Sequence, residues 1–286
     1  MRISDNAKTC AMSFGQSFLP DSPIKFCGTG FIASLSHAGV HSQYLVTCGH
    51  IARRLEGGWI GIRTNLKAGG ANFIPIDYTR FVYHADQTVD LAAMPFDLVD
   101  SLDHAAYPVE TQPQHPRDKA QCGDPINIVG VFRLQVGTNR TTPIIHNGHI
   151  AVQPDPDHKI PILNRNTGKK IDVETYLVEA HTFRSLAGSP VFYHSPALRR
   201  DLDVRDISGW AEQGREHLLG LYAGEWNGES GELLAKDENW KGNQRVPQSM
   251  GLVIPVEKIV ELLVEPPAFK AHRDTRTAQH QTESAS

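Results

Sequence analysis

The sequence predicts an all-β protein, a sandwich or barrel of many short strands followed by one C-terminal helix. Three observations predict it. From Phe26 onward, short apolar runs rich in β-branched and aromatic residues alternate with Gly, Pro, Asn and Asp. Gly (24) and Pro (18) are frequent enough to punctuate many turns. Only one clear helical period of any length occurs, and it lies late in the chain. With 286 residues, 40% of them hydrophobic and 21% charged, the chain can bury a substantial core without disulfides or metals.

Taken in order, residues 1–25 are polar and irregular and end in Pro20-Asp21-Ser22-Pro23, which reads as an N-terminal arm. Strand-like runs follow around 30–35, 43–47, 59–62, 126–131, 175–180, 189–193, 217–222 and 250–255. Ile51 to Leu55 reads as a short helical turn. Val256 to Glu265 has apolar residues at 256, 259, 260, 263 and 264, an amphipathic helix with Pro255 before it and Pro266-Pro267 as its stop. The remainder of 266–286 is polar from Lys270 on and predicts a disordered tail. Polar insertions fall at 154–174, 194–216 and 225–248.

The formal net charge of −4 argues against a nucleic-acid partner, which favours a basic surface. No apolar leader or membrane-length run is present, so no membrane association is expected. Four cysteines (Cys10, Cys27, Cys48, Cys122) without an export signal fit reduced thiols in a cytoplasm, with a Cys27–Cys48 pairing left open. No cofactor is implied.

Three segments carry chemistry. Gly28-Thr29-Gly30-Phe31-Ile32 precedes Leu45-Val46-Thr47-Cys48-Gly49-His50, which delivers a histidine at a strand end. Thr88-Val89-Asp90-Leu91-Ala92-Ala93-Met94 opens a strand with an aspartate. Phe183-Arg184-Ser185-Leu186-Ala187-Gly188-Ser189-Pro190-Val191 is a tight turn entering a strand. A serine hydroxyl needs an imidazole to take its proton, the imidazole needs a carboxylate to fix its tautomer, and the developing oxyanion needs backbone N–H donors from a tight turn.

In this order and with these flanks, the chain resembles the trypsin-like (chymotrypsin-fold) serine peptidase family, in particular its bacterial, HtrA-like branch. The resemblance spans about residues 26–265 and also takes in Gly123 to Gly130, Leu219 to Gly224 and Gly251 to Pro255. It implies two six-stranded antiparallel barrels that divide near 105–120, with the site between them. It implies His50 as base, Asp90 as its orienting acid and position 187 as nucleophile, with Ser185 and Ala187 supplying the oxyanion N–H groups. His181 would be the floor of the primary pocket, with Tyr222, Gly224 and Gly251 in its walls. No aspartate is at that floor, so a preference for Lys or Arg is not implied. The histidine favours acidic or polar side chains. Leu186 stands where many trypsins carry the aspartate that locks the turn after zymogen cleavage.

The departure is Ala187, whose methyl group cannot attack a carbonyl. The sequence therefore predicts a serine endopeptidase by kind that is inactive in this form, as an engineered Ser-to-Ala change would leave it. Two other readings stay open: a natural pseudoprotease that binds a peptide or partner, and a protease subunit switched on by a protein partner in a bacterial stress or defence pathway. The neighbouring Ser185 and Ser189 are poorly placed as substitute nucleophiles, and Thr29, Thr47 and Ser34 show only strand propensity. His37 and His41 lie in a hairpin without a third ligand, so no metal is assigned, and Cys48 reads as a small buried residue.

Overall fold

The computed structural model describes residues 3–17, 24–37, 39–55, 59–109, 119–131, 137, 139–163, 169–181, 186–194, 216–226 and 250–285. Much of the 194–216 and 225–248 insertions, and Ser185, lie outside the described residues. The fold is all-β with C-terminal helices, in the chymotrypsin-like double-barrel arrangement.

The first unit contains β1 (Ala11–Ser17), β2 (Lys25–His37), β3 (Val40–Cys48), β4 (Trp59–Asn65), β5 (Ala71–Pro75), β6 (Val82–Tyr83), β7 (Leu91–Pro95) and β8 (Tyr107–Pro108). They form one sheet in the order β5-β4-β1-β2-β3-β7-β6, with β8 parallel to β2. The second unit is a closed antiparallel barrel of six strands: β9 (Pro125–Gly130), β10 (Ile144–Val152), β13 (Tyr176–Ala180), β14 (Pro190–His194), β15 (Glu216–Glu225) and β16 (Met250–Pro255). Between β10 and β13 the 154–174 insertion folds into a separate hairpin of β11 (Ile160–Leu163) and β12 (Lys170–Val173).

Two apolar clusters hold these units. One lies inside the second barrel around Ile126, Ile128, Val178, Val191 and Val253. The other fills the first unit and continues into the second, where Val129, Phe192, Leu218 and Leu221 join Phe14, Phe31 and Leu45. The barrels therefore share a core, and that shared core backs the functional site.

Both ends of the chain correct the sequence expectation. The expected N-terminal arm contains helix α1 (Asp5–Thr9), capped by Ser4, and β1, which sits between β2 and β4. Met12 and Phe14 are fully buried there. The expected disordered tail is helix α4 (Pro267–Ala285), which follows α3 (Val256–Val264) and packs on β3. Pro267 starts this helix where a missing N–H is harmless. Phe269 is buried against Tyr44 with ring centroids 5.1 Å apart. Arg273 donates to the carbonyls of Leu263 and Val264, capping the end of α3. Phe269, His272, Arg273 and Arg276 make an i, i+3, i+4, i+7 stripe, but three of its members are polar, so hydropathy does not reveal it.

His104 fastens the N-terminal segment. Its Nδ1–H donates to the Thr9 carbonyl (2.8 Å) and its Nε2 accepts the Asn65 N–H (2.8 Å), which requires the neutral imidazole. Burial pushes its pKa below the ordinary histidine value. The folded state then binds this proton less tightly than the unfolded state. The clamp's contribution is whole above the unfolded value near ~6.5 and is lost as pH falls through the lower folded value. Urea midpoints should therefore fall between about pH 7.5 and about pH 5, and His104→Gln should flatten that slope.

Candidate active site

His50 and Asp90 meet because β3 and β7 are paired antiparallel with Cys48 opposite Leu91. β3 ends at Cys48, and His50 lies in the first turn of α2 (Gly49–Arg54). The His50 backbone N–H donates to Asp90 Oδ1 (2.7 Å), and His50 Nδ1 lies 2.5 Å from Asp90 Oδ2. A carboxylate only accepts, so Nδ1 carries a proton, and in the neutral ring that places the lone pair on Nε2. His50 is buried, with 7% of its surface exposed. Arg53 stands 4.0 Å from Asp90 Oδ1 and stacks over the Tyr83 ring. The loop before Asp90 is tied down by Asp86, whose carboxylate accepts from Thr88 N–H and Oγ1. The Thr88 N–H holds that carboxyl below the usual range.

The turn at 186–189 is closed by Ser189 N–H donating to the Leu186 carbonyl (2.9 Å), with Gly188 at φ +89°. Ala187 is at its corner, 9% exposed. Ser189 is fully buried, with its side chain against Gly130, which disfavours it as a nucleophile. Ser185, the other expected oxyanion donor, is outside the described residues.

Two threonines passed over in the sequence hold this turn. Thr29 N–H donates to the Ala187 carbonyl (3.1 Å), and Thr29 Oγ1 accepts from Val131 N–H (3.2 Å). The Thr29 carbonyl accepts from Thr47 Oγ1 (2.8 Å), three residues before His50. All of this is buried, where an unmade bond is costly. The Tyr222 carbonyl adds a second tie, accepting from Gly188 N–H (2.8 Å) and from the Cys48 thiol (3.5 Å). One carbonyl thus joins the turn of Ala187 to the strand end before His50. Strand propensity explains a threonine equally well, so the sequence carried no separate signal for these roles.

The expected pocket residues fare differently. His181 follows β13, is exposed, and its backbone is bonded by the His146 ring. It is not an enclosed floor. Tyr222 is 1% exposed, within the second barrel's core, and its ring lies directly over Gly251: a Cβ added there would stand 2.4 Å from the ring. The ring thus packs inward over Gly251. Gly224 follows a bulge in the β15–β16 ladder. A small cleft of about 100 Å³ opens beside Asp90, lined among others by Val89, Ala223 and Ile254 and by Lys159, Glu174 and Lys258. The β11–β12 hairpin and the residues after it form one side.

Cys27 and Cys48 are both free thiols, bonded to the carbonyls of Phe14 and Tyr222 respectively. His37 and His41 stand on opposite arms of the β2–β3 hairpin. The sequence missed a different grouping: Cys48, His50 and Asp90 place one donor atom each within 4.8 Å of one another.

Fold and site together define a chymotrypsin-like double barrel with a hydrogen-bonded His–Asp pair and, tied to it through Tyr222, a tight turn cornered by alanine. No protein-family model and no curated protein match the chain. Among solved structures it is similar to the active form of the Rv3671c protease from M. tuberculosis, at 13% identity over 91% of this chain and 81% of that one, with a TM-score of 0.46. It is also similar to the HtrA-type protease AlgW with decapeptide (15% identity, 91% and 66% covered, TM-score 0.48) and to Deg5 (14%, 91% and 91%, 0.47). These are likenesses of fold. Among the described residues no helix is long and apolar enough to cross a membrane.

Proposed function

We propose that this chain is a trypsin-like serine endopeptidase in which Ala187 occupies the nucleophile's place, so that this form binds peptide without hydrolysing it. The observation that carries the reading is the His50–Asp90 pair at 2.5 Å, which holds the imidazole in the tautomer a general base needs. His50 accepts the nucleophile's proton in the complete site, Asp90 orients it, and the backbone N–H groups of Ser185 and Ala187 stabilise the oxyanion. Loss of a hydroxyl leaves such backbone donors in place. The test is the variant Ala187→Ser offered a fluorophosphonate. Labelling that also needs His50 supports the proposal, and a folded variant that stays unlabelled overturns it in favour of a peptide-binding pseudoprotease.

The buried Tyr222 ring over Gly251 narrows the substrate class. With that volume filled, the residue before the scissile bond is small: glycine, alanine or serine. A peptide-library profile of Ala187→Ser should show this, and adding Tyr222→Val should shift preference towards larger aliphatic residues. A parent profile already dominated by aromatic, Lys or Arg residues would sink the assignment, whether or not the second variant folds.

A further inference from the structure

The grouping of Cys48, His50 and Asp90 offers three donors of different chemistry from three places in the fold: the end of β3, the first turn of α2 and the residue before β7. We propose that these three side chains form a binding site for one Zn²⁺ ion, and that the ion, when bound, withdraws His50 from proton transfer. The inhibitory half rests on the protease reading above; the metal site does not.

Thiolate, imidazole and carboxylate are the ligand types zinc prefers, and three protein ligands with an open fourth position is a common zinc arrangement. Ligands about 2.0–2.3 Å from a common tetrahedral centre lie about 3.3–3.8 Å apart. The three donors, all within 4.8 Å of one another, are already close to that spacing. Charge favours it as well. On binding, Cys48 loses its proton to solvent, and one thiolate plus the Asp90 carboxylate balance the ion's two positive charges in a largely buried place. If the ion takes Nδ1, the imidazole remains neutral with its proton on Nε2, where it can no longer accept one from a serine.

Existing contacts oppose the ion, first among them the His50 Nδ1–H bond to Asp90 Oδ2, which gives way when both groups become ligands. The Cys48 thiol gives up its bond to the Tyr222 carbonyl, and Arg53 stands 4.0 Å from Asp90 Oδ1. These contacts weaken the site relative to a four-ligand structural zinc. That suits an ion that must leave for the enzyme to work.

The test uses the full chain as it stands, with Co²⁺ as the spectroscopic probe and Zn²⁺ as competitor. Expected are a 1:1 complex with a thiolate-to-cobalt charge-transfer band, bleached by Zn²⁺. Cys48→Ser should abolish the band, and Asp90→Asn should weaken Zn²⁺ affinity by at least ~10-fold. A variant lacking His37 and His41 should bind as before. Absence of the band, or Zn²⁺ affinity unchanged in a folded Cys48→Ser variant, overturns the site. In the Ala187→Ser background, Zn²⁺ should slow fluorophosphonate labelling, and Cys48→Ala should reduce that zinc effect. Zinc that binds without slowing a labelling reaction overturns the inhibitory half alone. Failure to label at all overturns the protease reading, and the cobalt spectra then judge the metal site independently.

Discussion

The variant Ala187→Ser is expected to label with a fluorophosphonate at least ~10³ times faster than the same variant carrying His50→Ala, and the chain with Ala187 is expected not to label at all. The magnitude follows from what is already assembled. Asp90 accepts from both the backbone and the ring of His50, so the imidazole's orientation does not have to be reached at the moment of reaction. The turn that would carry the hydroxyl is held by Thr29 and Tyr222, which bond the C=O and the N–H of the Ala187–Gly188 peptide. Only the Oγ atom has to be added, and a serine is a small change at a residue with 9% exposure. Asp90→Asn in the serine background separates orientation from simple proximity. It keeps the shape but can stabilise the wrong tautomer, and in the triad template the corresponding change costs about 10⁴ in turnover. A loss of less than ~10-fold would mean that Asp90 only caps α2.

How much of this could be read from the chain depends on the range of each interaction. The strands of the second barrel were legible because they are short runs of β-branched and apolar residues between breakers, and His50 and Asp90 were legible because their flanks resemble a family's. β1 was not: Ala11-Met12-Ser13-Phe14-Gly15 is a short run with only two large apolar side chains and polar flanks, and its place between β2 and β4 buries it. Helix α4 was missed because Arg273 and His272 occupy its inward stripe, a pattern that pays no tribute to hydropathy. The inward packing of the Tyr222 ring was not legible either, since it depends on the bare backbone of Gly251, 29 positions later. Cys48 could not be connected with Tyr222 from sequence, because their contact spans 174 positions.

Gly188→Ala is expected to be among the most damaging single-methyl changes available to this chain, at roughly 3–5 kcal/mol of folding stability. A Cβ at this position would stand 1.9 Å from the Thr29 carbonyl oxygen and 2.6 Å from Thr47 Oγ1, both buried and already bonded to each other. Neither neighbour is the yielding tip of a long side chain. The backbone at φ +89° adds a conformational penalty for any L residue. Relief requires the turn to move away from Thr29, which breaks the Thr29 N–H bond to the Ala187 carbonyl and displaces the nucleophile position from His50. Gly69→Ala supplies the comparison: its φ of +93° is similar, but nothing lies within 4 Å of the added methyl. It should cost only the backbone penalty, about 1–2 kcal/mol. Chemical denaturation of both variants reads the difference directly. If they lose equal stability, close packing against Thr29 is not what makes glycine necessary at 188. If Gly188→Ala in the serine background keeps full labelling, the nucleophile turn is not held by this contact.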